Sequence, residues 1–346
     1  MSKKYVLMLT SVSGKRTAEE GFDAGDSIIS EGVQELLPEL KQFDMVFSAN
    51  VPEADKEEAT KNAHYIIVPG TPSWMHMRHR RYWEYAKKHK KHMAMLGVGM
   101  AMPYDGTFWD GSREFVELKD SGMIDLVVCR DRLCYFWLCQ RIGFEHSKAR
   151  VMPCPAFYTL VPKKVESKKN VVLGIANIEE VSHSCDHTFH GYYSRTGDLI
   201  SELRAAGANV FISYQRNPNN YPGWIEFYKK TFPDYPMTWF PSWNDFITFH
   251  ANKDVYIGVR NHGALPCAGA GMPALLQGTD YRQLLANEIP AICRLDISHT
   301  IWNVDFVMDW YNSLEPTGIS ANLINWRTIT YARWRKILAP VIEALK

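Results

Sequence analysis

The sequence has no apolar run of the roughly 18 residues that a membrane-spanning helix needs, and no CxxC pair. It also lacks an excess of either charge, a short-period repeat and a low-complexity tract. Each absence removes a class. Without an apolar run there is no span. The 39 Lys and Arg nearly match the 38 Asp and Glu, leaving +1, so no global field draws the chain to nucleic acid or membrane, and such a role needs a local patch. The seven cysteines (129, 134, 139, 154, 185, 267, 293) are odd in number. The first residues, MSKKYVLMLT, put two lysines before a short apolar stretch with no small-residue cleavage site, so Val6, Leu7, Met8 and Leu9 read as a buried first strand. Reduced thiols in the cytoplasm are the expectation. What is present is ordinary globular usage, 46% hydrophobic and 22% charged, with 11 Trp, 17 Tyr and 16 Phe.

Short apolar runs alternate with helical patterns in two series. Strands are expected at Tyr5 to Thr10, Tyr65 to Val68, Ala94 to Val98 and Leu126 to Cys129, with a helix over Ser27 to Leu40 and another after Cys129. The polar stretch VPKKVESKKN, 161–170, interrupts the alternation. It restarts with strands at Val171 to Ile175, Asn209 to Tyr214, Val255 to Val259 and Pro273 to Gln277. Helices are expected at Gly197 to Ala206, Asn244 to Ala251 and Ala264 to Ala270. Uninterrupted apolar strands separated by helices imply parallel sheets covered on both faces. The expected architecture is α/β, two Rossmann-like parallel-sheet domains facing a cleft. Their bounds are 1–160 and 171–325, with a linker at 161–170 and a closing C-terminal helix at 326–346. Ligands of such sheets bind beyond the carboxyl ends of the strands.

The most informative segment runs from Asp254 to Gln283, DVYIGVRNHGALPCAGAGMPALLQGTDYRQ. A strand leads directly into Arg260-Asn261-His262-Gly263 and then a helix, so these residues stand near the orphan amides of a helix N-terminus, where an anion is favoured. Arg supplies a planar donor fork for phosphate or carboxylate, and His exchanges a proton near neutral pH. The spacing equally allows Arg260 to pair with a structural carboxylate and His262 to cap the helix.

This segment resembles the polysaccharide pyruvyl transferase family, whose members carry an Arg-Leu-His-Ala type motif after a strand, a helix of small residues, then Gly-x-Pro and a strand. Here these read R-N-H-G at 260–263, small residues at 264–271 and G-M-P at 271–273. Upstream, Gly25-Asp26 opens a helix, Arg130-Asp131 follows a strand, and VMPCPAFYTL supplies the proline-flanked segment, with Cys154 where members usually have Asp. Members have a glycine-rich turn where this chain has Pro69-Gly70-Thr71-Pro72. Where they have a second arginine, this chain reads LGIANIEEVSHS, leaving Arg195 and Arg216 as candidates for donor binding.

The resemblance implies a GT-B-like fold and a transferase using phosphoenolpyruvate, with Arg260, Asn261 and Gly263 around the donor and His262 as acid. A nucleotide-sugar glycosyltransferase would use Asp26 or Asp23 as base. A non-catalytic binding protein for an anionic polymer is the third reading. Asp23, Gly25, Trp74, His183 and His187 are cleft candidates for a saccharide or other anionic acceptor. No cofactor and no metal are expected, although SHSCDHTFH, 182–190, invites comparison with a zinc site. Oligomeric state is open. Residues 76–92, HMRHRRYWEYAKKHKKH, form a basic stretch that would suit the phosphate backbone of nucleic acid, an acidic polymer or lipid head groups, with Trp83 to stack on bases or sugars, or else a solvated helix face.

Overall fold

The computed structural model describes residues 4–10, 24–70, 79–99, 113–176, 189–215, 219, 222–240, 242–277, 281–295 and 303–346. The chain divides into two compact units. Unit 1 takes the N-terminal strand, residues 26–159 and residues 328–346, and unit 2 is built chiefly on residues 160–327.

The sheet of unit 1 has six parallel strands: β1 (Tyr5–Met8), β2 (Asp44–Phe47), β3 (Tyr65–Pro69), β4 (Met93–Val98), β5 (Ile124–Cys129) and β6 (Ala149–Val151). Their order is β2-β1-β3-β4-β5-β6. The inner strands are buried apolar runs, as a sheet covered on both faces requires. Helices α1 (Ala24–Leu36), α2 (Lys56–Asn62), α3 (Arg80–Lys88), α4 (Arg113–Asp120) and α5 (Arg132–Gln140) lie between them in sequence. The start of α5 is set by Asp131, whose carboxylate accepts from the Cys134 amide at 2.6 Å.

Unit 2 repeats the scheme with β7 (Asn170–Ile175), β8 (Asn209–Tyr214), β9 (Met237–Trp239), β10 (Val255–Gly258), β11 (Ala274–Gln277) and β12 (Ile292–Leu295). All are parallel, in the order β12-β11-β10-β7-β8-β9. Its helices are α6 (Phe189–Ala205), α7 (Pro222–Thr231), α8 (Trp243–Ala251), α9 (Asn261–Gly269) and α10 (Val304–Ser313). The lysine-rich stretch after residue 160 has no regular element before β7. The Lys163 amide bonds the Ala270 carbonyl at 2.8 Å, and the Val165 amide bonds Ser320 Oγ at 3.0 Å.

Helix α11 (Pro316–Ile337) contributes residues to both units, and α12 (Ala339–Ala344) follows it. Within unit 1 the last turns are anchored: Trp334, fully buried, donates to the Pro153 carbonyl at 3.2 Å, and Arg335 grips Glu39 with two bonds of 2.9 and 2.5 Å. Among the described residues no helix is long and apolar enough to cross a membrane.

Candidate functional site

The site in unit 2 begins where its strand order reverses. From β7 the chain proceeds through β8 and β9 to one side, and β10 to β12 continue on the other, so the carboxyl ends of β7 and β10 flank the crevice where such sheets bind ligands. Arg260 follows β10 with extended backbone (φ −104°, ψ 118°) and immediately precedes α9. The amides of Asn261 and His262 have no carbonyl one turn earlier to bond, and the Gly263 amide turns back to the Arg260 carbonyl at 3.1 Å. Arg260, Asn261 and His262 are half-buried, while Gly263 to Gly269 are buried. The charged and polar side chains therefore stand on the rim of a helix whose body is core.

The floor is made by register. Gly258 of β10 pairs with Gly174 of β7, which pairs with Ser213 of β8, giving a row of small residues near the sheet's carboxyl edge. The Tyr256 ring lies along this row. A Cβ on Gly174, Gly258 or Gly263 would come within 2.1, 2.6 or 2.0 Å of the Tyr256 hydroxyl, so each position excludes a side chain. Gln215, just past β8, puts its amide nitrogen 2.3 Å from that same Gly263 Cβ position. The Tyr256 hydroxyl and the Gln215 amide thus converge beneath the first turn of α9, and neither makes a hydrogen bond of good geometry. Burial raises the Tyr256 hydroxyl well above its ordinary pKa, so it remains a protonated donor. Behind the ring, His250 is buried with Nδ1 2.8 Å from the Phe246 carbonyl, and burial pushes its pKa down to about 4.

Tyr256 and Gln215 escape sequence inspection. The one local signal is Gly258 two positions after Tyr256, on the same face of the strand, leaving room for a ring.

Of the residues singled out in the sequence, the structure brings Arg260, Asn261, His262 and Gly263 together. Arg195 is exposed on α6 in a cavity lined also by Ser194, Asp198, Asn303 and Asp305. Gly25 and Asp26 fall in the first turn of α1, directly after the segment that follows β1. Asp23, Trp74, His183, His187 and Arg216 lie outside the described residues, as does most of the 182–190 stretch. Among the described residues no group of His, Cys, Asp and Glu is arranged to hold a metal ion.

The basic stretch is described from His79 onward and forms α3. Arg81 pairs with Glu53, Lys87 with Glu117 at 2.9 Å, and Lys88 with Glu57 at 2.6 Å. Trp83 is 1% exposed, which corrects the expectation that it could stack on a base: its ring belongs to the core of unit 1. The charged face is matched by carboxylates of neighbouring elements.

Three solved structures show the same fold at low identity. The UDP-GlcNAc 2-epimerase from Neisseria meningitidis, bound to UDP-GlcNAc, superposes with a TM-score of 0.61 at 10% identity, over 99% of each chain. The Anabaena protein HepE, in complex with UDP and glucose, gives 0.55 at 8% identity over 99% of this chain and 100% of its own. The glycosyltransferase SnogD from Streptomyces nogalater gives 0.53 at 10% identity over all of both chains. No curated protein matches the chain in sequence. The model of one family, Polysaccharide pyruvyl transferase, matches residues 23–281, from the segment before α1 to the residues after β11. The stretch includes the α9 rim and its tyrosine floor, and the chain belongs to the polysaccharide pyruvyl transferase family of carbohydrate-modifying transferases.

Proposed function

We propose that the chain transfers the pyruvyl group of phosphoenolpyruvate to hydroxyls of a saccharide acceptor. The observation that carries this reading is the placement of Arg260 and His262 on the α9 rim, at the reversal of strand order. Arg260 and the first α9 amides hold the donor's phosphate or carboxylate, combining a charge-assisted fork with the positive end of a helix. His262, as imidazolium, protonates the methylene carbon of the enol phosphate. The cationic C2 so formed is attacked by an acceptor hydroxyl, whose proton returns to His262. The C2–O bond to phosphate then breaks, a second hydroxyl adds to C2, and its proton leaves with the phosphate. The products are a cyclic ketal and inorganic phosphate. Orientation and charge stabilisation are the protein's main contributions.

The test is phosphate release from phosphoenolpyruvate across a panel of saccharides. Arg260→Ala should raise the KM for phosphoenolpyruvate, and His262→Ala should lower kcat about 10²–10⁴-fold, the usual worth of a positioned acid. Wild-type kinetics in both variants would refute the assignment.

A second reading has one observation in its favour, the uridine nucleotides bound by two of the structures compared. In it Arg260 and α9 hold a nucleotide diphosphate, and Asp26 or Asp23 activates the acceptor. Stabilisation against heat by UDP, with no response to phosphoenolpyruvate, would favour it.

A further inference from the structure

Unit 1 contains a cation that the proposed transfer does not use. Arg130 is the residue after β5 and is 1% exposed. Its amide bonds the Val98 carbonyl at 2.8 Å, which fixes it at the carboxyl edge of the sheet, beside the end of β4. Its Nε and Nη2 are buried with no hydrogen-bond partner, and among the described residues it enters no ion pair. Gly99 makes the room: a Cβ there would lie 2.0 Å from Nε and 2.8 Å from Cζ.

A buried guanidinium cannot shed its proton, and a charge removed from water without a counter-charge is strongly destabilising. Among the described residues no carboxylate forms an ion pair with it. Cys154 lies against the guanidinium, yet burial raises the thiol above its ordinary pKa even with Arg130 opposing the shift, so it stays neutral. Asp131 spends one carboxylate oxygen on the cap of α5. The positive end of that nine-residue helix begins two residues after Arg130 and adds to the local positive potential.

We propose that Arg130 is the cation of an oxyanion site in unit 1, at the carboxyl ends of β4 and β5, which takes the phosphate or carboxylate of a ligand. The bound anion supplies the ion-pair partner that the described residues do not, and Nε and Nη2 offer it the two parallel donors of a bidentate fork. The site is argued from residues of unit 1 alone, so it stands or falls separately from the transfer reaction.

The experiment uses the full chain with Arg260→Ala, so that anion binding at α9 is not read. Its melting temperature is followed against inorganic phosphate, with chloride at equal ionic strength as control. Phosphate also raises stability by exclusion from protein surfaces, but that part does not saturate. A saturable rise is expected. Adding Arg130→Met should abolish the rise and, without phosphate, should leave the protein at least as heat-stable, because an uncompensated charge has gone while the volume is kept. Should the methionine variant fail to fold, Arg130→Lys keeps the charge and loses the fork, and the phosphate midpoint should rise at least tenfold. Absence of a saturable rise in the Arg260→Ala protein, or a midpoint unchanged by either Arg130 variant, overturns the site. Glucose 6-phosphate and glucuronate, with glucose as control, then identify the source. A midpoint below that of inorganic phosphate points to an anionic saccharide, and an equal one to free phosphate.

Discussion

In unit 2 the cation at the sheet's carboxyl edge, Arg260, is half-buried on a helix rim; in unit 1 the cation at that edge, Arg130, is almost wholly withdrawn from solvent. Six parallel strands frame both, but the strand order reverses at the centre of the second sheet and one strand from the edge of the first. Beneath Arg260 lie glycines, a tyrosine ring and an amide; beside Arg130 lie a neutral thiol and one glycine. A rim cation costs little when empty and exchanges its ligand readily, whereas a buried one leaves the empty protein strained electrostatically. Similarity of topology therefore says little about how each edge handles charge.

The largest test of this contrast uses acid. His250 has its folded pKa near 4 against an ordinary 6.5, so between these values the unfolded chain binds a proton that the folded chain refuses. Its contribution is complete above pH 6.5 and is lost as pH falls toward 4, about 3 kcal/mol in all. Hydrogen exchange, corrected for intrinsic rates, should show unit 2 weakening across this window more than unit 1, where His64 is shifted the same way but only partly covered. His250→Asn should flatten the difference, and an equal decline in both units would break the comparison.

Smaller, and confined to the α9 floor, is the effect of Gly263→Ala. The new Cβ meets the Tyr256 hydroxyl and ring, which rest on glycines and cannot retreat, so urea denaturation should show a loss of about 1–3 kcal/mol. An unchanged midpoint would mean that the ring moves freely. Least of all should follow from Lys87→Ala or Lys88→Ala on α3. Both side chains are exposed in surface pairs, so melting temperature and transfer rate should stay at the wild-type value. A fall in acceptor affinity in either variant would return α3 to function and make unit 1 the acceptor-binding unit.

Two parallel sheets are legible in the sequence, and so are the eight inner strands. The four that escape, Asp44–Phe47, Ala149–Val151, Met237–Trp239 and Ile292–Leu295, are the four sheet edges. They are short and mostly half-buried, so they lack the continuous apolar run by which a doubly covered strand declares itself. The helix expected to reach Leu40 stops at Leu36, because Leu37 precedes Pro38 and leaves helical geometry (φ −126°, ψ 71°). Arg260 and His262 are legible because they are contiguous with their helix. The floor is not: Gly258, Gly174 and Ser213 become neighbours only through strand register. The Arg130-Asp131 pair is visible as a motif, but its burial arises from Gly99 and Cys154, which sequence distance conceals.

The anchoring of Trp334 and Arg335 in unit 1 has a consequence for biosynthesis. Unit 2 draws on residues 160–327, so its sheet can close while later residues are still inside the ribosome. In unit 1 the contacts of Trp334 with Pro153 and of Arg335 with Glu39 can form only long after its own strands have been synthesised. The last contacts that close unit 1 therefore come from the final residues to be synthesised, although most of that unit is synthesised first.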